Sequence, residues 1–120
     1  MAVVRWLKTV DARDFEAGQR YLELLFPPTK ARAVTRALKA APIRYFQAKD
    51  VLRASELAKL SSKDPEVAKQ SKRIAKGVPL SPLLLVRESG HARLLVADGF
   101  HRLCAVVDID ATADVACKLA

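Results

Sequence analysis

The stretch "LSPLLLVRE", residues 80–88, constrains the fold more than any other. It is nearly unbroken in apolar residues, the mark of a fully buried strand rather than one with a wet face. "SG" at 89–90 supplies a hairpin turn, and "HARLLVAD" returns as the partner strand. The chain then turns through Asp98-Gly99 into "FHRLCAVV", which reads as a helix over roughly 100–107. With 120 residues there is enough chain for one compact domain around one core.

Upstream, "ARDFEAGQRYLELLF" (12–26) places Phe15, Leu22, Leu25 and Phe26 on one helical face. "PP" at 27–28 stops that helix, because proline lacks an N–H and clashes with the preceding turn. "TKARAVTRALKAA" (29–41) predicts a second helix, with Thr29 as its N-cap and an apolar stripe of Ala31, Val34, Leu38 and Ala41. Residues 43–50 predict a strand. "SSKDPEVAKQSKRIAKG" predicts a helix capped by Asp64, opened by Pro65 and ended at Gly77, with Val67 and Ile74 facing inward. "DIDATAD" is a loop and "VACKLA" a final strand. The division expected is a helical N-terminal segment, 1–42, packed on an α/β part, 43–120.

The first turn of the helix after Gly99 poses a chemical problem. A helix N-terminus exposes unbonded N–H groups and carries partial positive charge, which favours acids and disfavours cations. Here it holds His101 and Arg102. A phosphate resolves the conflict: the N–H groups of Phe100, His101 and Arg102 hold it from one side, and the two cationic side chains add charge-assisted bonds. Gly99 lets the backbone approach the ligand. A second resolution stays open, in which Arg102 reaches solvent or pairs with Asp98 or Asp108, and His101 bonds within the core. Asp98 itself caps the helix or ligates a metal beside a phosphate. In the ligand reading Arg102 points at the ligand, so its loss removes little core area.

"LLVADGFHRLCAVVDID" with "VACKLA" resembles the fold shared by the N-terminal domain of ParB-type chromosome-partition proteins, sulfiredoxin and free serine kinases. The resemblance covers roughly residues 43–120, and "DGFHR" is its most specific element. With "AKDVLRASEL" and "LSPLLLVR" included, the chain also looks like small bacterial ParB-like proteins. The resemblance implies an α/β fold, a small mixed sheet with a ParB/sulfiredoxin-like core preceded by two N-terminal helices. It also implies that nucleotide phosphates lie at the turn, on Asp98, Gly99, Phe100, His101 and Arg102. Sulfiredoxin-like proteins carry a cysteine directly before His-Arg; Phe100 stands there, which argues against sulfinic-acid reduction. ParB-type proteins carry Gly-Glu-Arg-Arg and a following helix-turn-helix domain; here the box is Gly-Phe-His-Arg and no such domain follows within the 120 residues. The serine-kinase pattern Asp-Gly-x-His-Arg fits best, though no equivalent of its upstream carboxylate is fixed by the pattern.

Asp50 is the best upstream carboxylate, a candidate for Mg²⁺ binding or for a catalytic base, against a plain role as a turn Asp bonded to backbone. Arg53 is a candidate for a second phosphate, against a solvated or structural arginine. Cys104 and Cys117 read as small buried hydrophobes. With His101 they lack the fourth ligand and the paired spacing of a zinc site, so no resident metal is expected. His91 falls at the hairpin surface, and Trp6 anchors the N-terminal segment by packing.

The net charge of +8 suits nucleic acid, nucleotides or other phosphate-bearing partners. Arg32, Arg36 and Lys39 form one basic stripe; Lys69, Lys72, Arg73 and Lys76 form another. Such stripes follow a nucleic-acid backbone or are simply the solvated face of an amphipathic helix. No run approaches the ~20 apolar residues of a membrane span, and the early charges at Arg5 and Lys8 argue against a secretory signal. A cytoplasmic location without membrane contact is the expectation. The favoured function is binding of a nucleoside triphosphate with Mg²⁺, with phosphoryl transfer or hydrolysis as a further step. Two alternatives stay open: a sequence-nonspecific DNA-binding accessory protein, and a ligand-free interaction domain.

Overall fold

Alternate side chains of the apolar run go to opposite sides of the sheet, and both sides are covered. Leu83 and Leu85 join one buried cluster, while Leu84 and Val86 join another, as a two-residue period dictates. The structure is a computed structural model and describes residues 3–87 and 93–120. The "SG" turn and His91 lie outside the described residues.

The elements, in chain order, are α1 (Ala12–Leu25), α2 (Pro28–Ala40), β1 (Ile43–Gln47), α3 (Ala48–Ser55), α4 (Pro65–Ala75), β2 (Leu83–Arg87), β3 (Leu94–Asp98), α5 (Phe100–Ile109) and β4 (Asp114–Leu119). The four strands form one mixed sheet in the order β1-β4-β2-β3. β4 runs antiparallel to β1, with Ile43 opposite Lys118, and parallel to β2, with Leu83 opposite Cys117. β2 and β3 are antiparallel, with Leu84 opposite Asp98 and a register irregularity between Leu84 and Leu85. This is a small α/β domain, a four-stranded mixed sheet between helical layers.

One layer is α1 and α2, whose Leu22, Ala31 and Leu38 pack on Leu84, Val86, Leu95 and Ala97. Gly18 lets α1 approach closely: a Cβ there would lie 3.2 Å from Leu84 Cδ1. The other layer is α3, α4 and α5, with Val51, Val67, Ile74, Leu103 and Val106 against Leu83, Leu85, Val96, Val115 and Cys117. Cys104 lies on the inner face of α5, and both cysteines are free and buried.

Three local expectations need correction. Pro28 does not merely stop α1; it opens α2 at its first position, with Pro27 rather than Thr29 as the N-cap residue, because its fixed φ suits that position and no N–H is needed there. Leu25 turns outward and is 43% exposed, with Leu24 at 83%; the inner stripe of α1 keeps Leu22, and Phe15 and Phe26 at its margin. The strand expected to reach Asp50 ends at Gln47, where α3 begins. The first amides of α3, Ala48 and Lys49, donate to the carbonyls of Ala113 and Ala111, each at 2.8 Å. Tertiary bonds therefore set that short helix, and no local pattern announces it.

Trp6 packs partly buried against the α3–α5 side, its indole N–H donating to the Asp114 carbonyl at 3.2 Å. Arg5 and Leu7 exchange backbone hydrogen bonds with Leu80. Among the described residues, no helix is long and apolar enough to cross a membrane.

Candidate functional site

The turn expected from "VADGFHR" is present. β3 ends at Asp98, Gly99 follows with φ +103°, and α5 begins at Phe100. His101 and Arg102 stand in its first turn. Leu103, Cys104, Ala105 and Val106 behind them are wholly buried, so the helix is fixed by its body and not by its end.

Gly99 meets two demands. Its φ lies in the left-handed region, which penalises any Cβ. A Cβ there would also fall 2.5 Å from Leu83 Cδ2 and 2.9 Å from Arg102 Nη2. The guanidinium of Arg102 thus lies back across the glycine.

That placement settles which of the two expected orientations Arg102 takes. Its Nη2 donates to Asp98 Oδ2 at 3.1 Å and to Asp14 Oδ2 at 3.2 Å, with a long third contact of 3.5 Å to the Pro82 carbonyl. The Arg102 side chain is 15% exposed and the two carboxylates 18% and 19%. The arginine that reaches solvent is therefore not what forms. Pairing with Asp98 is, with Asp14 of α1 as the second acceptor; Asp108 instead pairs with Lys59. The cation at the positive helix end is answered from within the fold.

The answer is incomplete. Three acceptors converge on one nitrogen, while Arg102 Nε is buried without a hydrogen-bond partner. A desolvated donor left this way costs about 1–3 kcal/mol. The end of α5 is also open. Asp98 does not cap it: the N-cap is Gly99, no side chain bonds the first amides, and no acid stands in the first turn. By contrast Asp11 accepts from Arg13 N in α1, and Asp64 accepts from Glu66 N and Val67 N in α4. His101 is exposed at this open end.

Burial pushes the Asp98 carboxyl above its ordinary range, the neighbouring Asp14 charge adds to the rise, and the attraction of Arg102 opposes it. One guanidinium facing two carboxylates leaves the cluster one negative charge in excess when both are ionised. An anion entering here has to displace a carboxylate or arrive with a cation.

Asp50 and Arg53 are not brought to the turn. They pair with each other at 3.4 Å on the exposed side of α3, with side chains 52% and 85% exposed. Asp50 borders a small hollow lined by Phe46, Val51, Leu85, Leu94 and Leu119. Leu94 begins β3 and Asp98 ends it, roughly 13 Å along a strand. Asp14 is the site residue that the sequence did not single out. An acid in a first helical turn looks like an ordinary complement to the helix dipole.

Among the described residues, no three His, Cys, Asp or Glu side chains gather in a way that could hold a metal ion. Comparison with protein families, with curated proteins and with solved structures finds no match.

Proposed function

We propose that the chain binds a phosphate-bearing small molecule at the Asp98–Arg102 turn, most plainly a nucleoside triphosphate carrying Mg²⁺. The observation that supports this reading is the uncapped N-terminus of α5, whose first amides bond to no side chain. A phosphate supplies acceptors to those amides, with the exposed His101 beside them. The ParB/sulfiredoxin-like resemblance points to the same turn.

The two carboxylates shape what is accepted. A bare phosphate meets the excess charge of Asp14 and Asp98. A phosphate carrying Mg²⁺ brings positive charge to them, and Mg²⁺ is commonly held by one or two carboxylates plus substrate phosphates. Asp14 and Asp98 are the residues that would face such an ion, whose role there is to neutralise phosphate charge. Binding, not catalysis, is the function these groups support: phosphoryl transfer also needs a positioned base, and Asp50 sits at the far end of β3.

The test is a thermal-shift and calorimetric titration with nucleoside triphosphates and inorganic phosphate, each with and without Mg²⁺, on the parent and on His101→Ala. The expected result is stabilisation by the Mg²⁺ complex, weakened about tenfold in His101→Ala, as for one charge-assisted bond. No stabilisation by any of these compounds overturns the reading in favour of a ligand-free interaction domain.

A further inference from the structure

We propose that the outer face of α4 docks on the phosphodiester backbone of a nucleic-acid duplex, without regard to sequence. This inference is independent of the turn on α5. Lys69, Lys72, Arg73 and Lys76 are all exposed, and they rim a shallow depression together with Pro65 and Ala68. From residue 69 to residue 76 the helix rises roughly 10 Å, enough to face more than one phosphate of a duplex strand.

The charges have no internal use. Among the described residues none of the four forms an ion pair. Cations near a helix C-terminus often serve its free carbonyls, but here those carbonyls are taken by backbone. Lys76 N donates to Lys72 O, Gly77 N to Ile74 O and Val78 N to Arg73 O, at 2.9–3.1 Å. Like charges three and four apart repel one another on a helix, so the face carries a strain that a polyanion relieves.

The other basic stripe differs. Lys39 lies over the Phe15 ring at 5.7 Å. The hollow beside it is lined by Glu16 and Glu23 of α1 as well as Arg20. α2 and α4 also belong to opposite layers, so they do not make one continuous surface. The partner's class follows from what the α4 face lacks. Among the described residues the exposed large apolar side chains are Val3, Leu7, Tyr21, Leu24, Leu25, Tyr45 and Leu57, none of them on α4. Insertion into a membrane surface needs apolar anchors beside the charges, and single-stranded nucleic acid is held largely by aromatic stacking. Lysine-dominated charge alone suits duplex phosphates.

The experiment is fluorescence anisotropy with labelled duplex DNA of two unrelated sequences, at salt from about 50 to 200 mM. The parent is expected to bind both duplexes equally, with a log–log salt slope of about 3–4, one near 0.9 for each phosphate neutralised. Changing Lys69, Lys72, Arg73 and Lys76 to Gln is expected to lower affinity at least tenfold and flatten the slope. The double Lys69→Gln/Lys72→Gln gives about half that loss of slope, and serves if the fourfold variant does not fold. Arg32→Gln/Arg36→Gln/Lys39→Gln, which removes three charges elsewhere, is expected to leave the slope nearly unchanged. The proposal is overturned by absent duplex binding at the lowest salt, by equal weakening from both sets of changes, or by discrimination between the sequences. Tighter binding to single strands or to vesicles of anionic lipid also overturns it.

Discussion

Arg102 Nη2 and Asp14 Oδ2 lie 3.2 Å apart across 88 residues of chain, joining the first turn of α5 to the first turn of α1 over the end of β3. The two helices cover opposite faces of the sheet, so the contact ties the layers together where the sheet itself stops. Asp98 closes the cluster from the strand between them.

The first consequence concerns Arg102→Ala. Removing one partner of a buried ion pair leaves an uncompensated charge and costs about 3–5 kcal/mol. Here two carboxylates, each less than a fifth exposed, would face each other without a cation. The variant is expected to melt on the order of 10 °C below the parent in the absence of ligand. Chemical denaturation provides the free energy directly. An unchanged midpoint would mean that the cluster contributes nothing and that Arg102 is free to serve a ligand alone.

Asp14→Asn separates the structural role from the binding role. The amide can still accept from Arg102 but no longer holds it by charge, so stability should fall by only about 1 kcal/mol. Phosphate affinity at the turn should rise severalfold, because the ligand then competes with Asp98 alone for the guanidinium. Isothermal titration of inorganic phosphate and of a nucleoside triphosphate measures both. Affinity for the Mg²⁺ complex should fall, because Asp14 is one of the two carboxylates facing the ion; a rise for both ligands would remove Asp14 from that role.

Much of this geometry was legible in residues 80–107. A continuous apolar run, a polar turn and a glycine before a second apolar run leave few arrangements other than two buried strands and a helix. The caps of α4 were equally plain, since Asp64, Pro65 and Gly77 act through local backbone geometry. The partner of Arg102 was only half legible. Asp98 is four residues away across the turn, near enough in the chain to be named as a partner; Asp14 reaches the site only because α1 packs on β3, a fact of topology. α3 escaped for the same reason, its first amides being satisfied by carbonyls more than 60 residues later in the chain.

The cysteines should be inert in the native state. Burial pushes the Cys117 thiol up to about 11 and raises that of Cys104 as well. The thiolate is the reactive form, and neither sulfur reaches solvent. Alkylation near neutral pH should modify no cysteine in the folded chain and both after unfolding, as read by mass spectrometry. Rapid modification of Cys104 in the native protein would mean that α5 opens from the sheet.

Asp98 gives a pH dependence opposite to that of most native carboxylates. Its carboxyl lies above the ordinary value of 3.8, because burial outweighs the pull of Arg102. Between the unfolded and folded values the native state therefore holds more protons than the unfolded state. In that window stability falls as pH rises, by the linkage between proton binding and folding. The full benefit is present below about 3.8 and is gone above the folded value. Other carboxylates titrate nearby, so the comparison has to be made against Asp98→Asn, which cannot ionise. The stability of the parent minus that of the variant should decline as pH rises from below 3.8 through the window, then level off. Urea denaturation at a series of pH values measures it. A difference that grows in the parent's favour as pH rises would mean that Arg102 stabilises the ionised form more than burial penalises it.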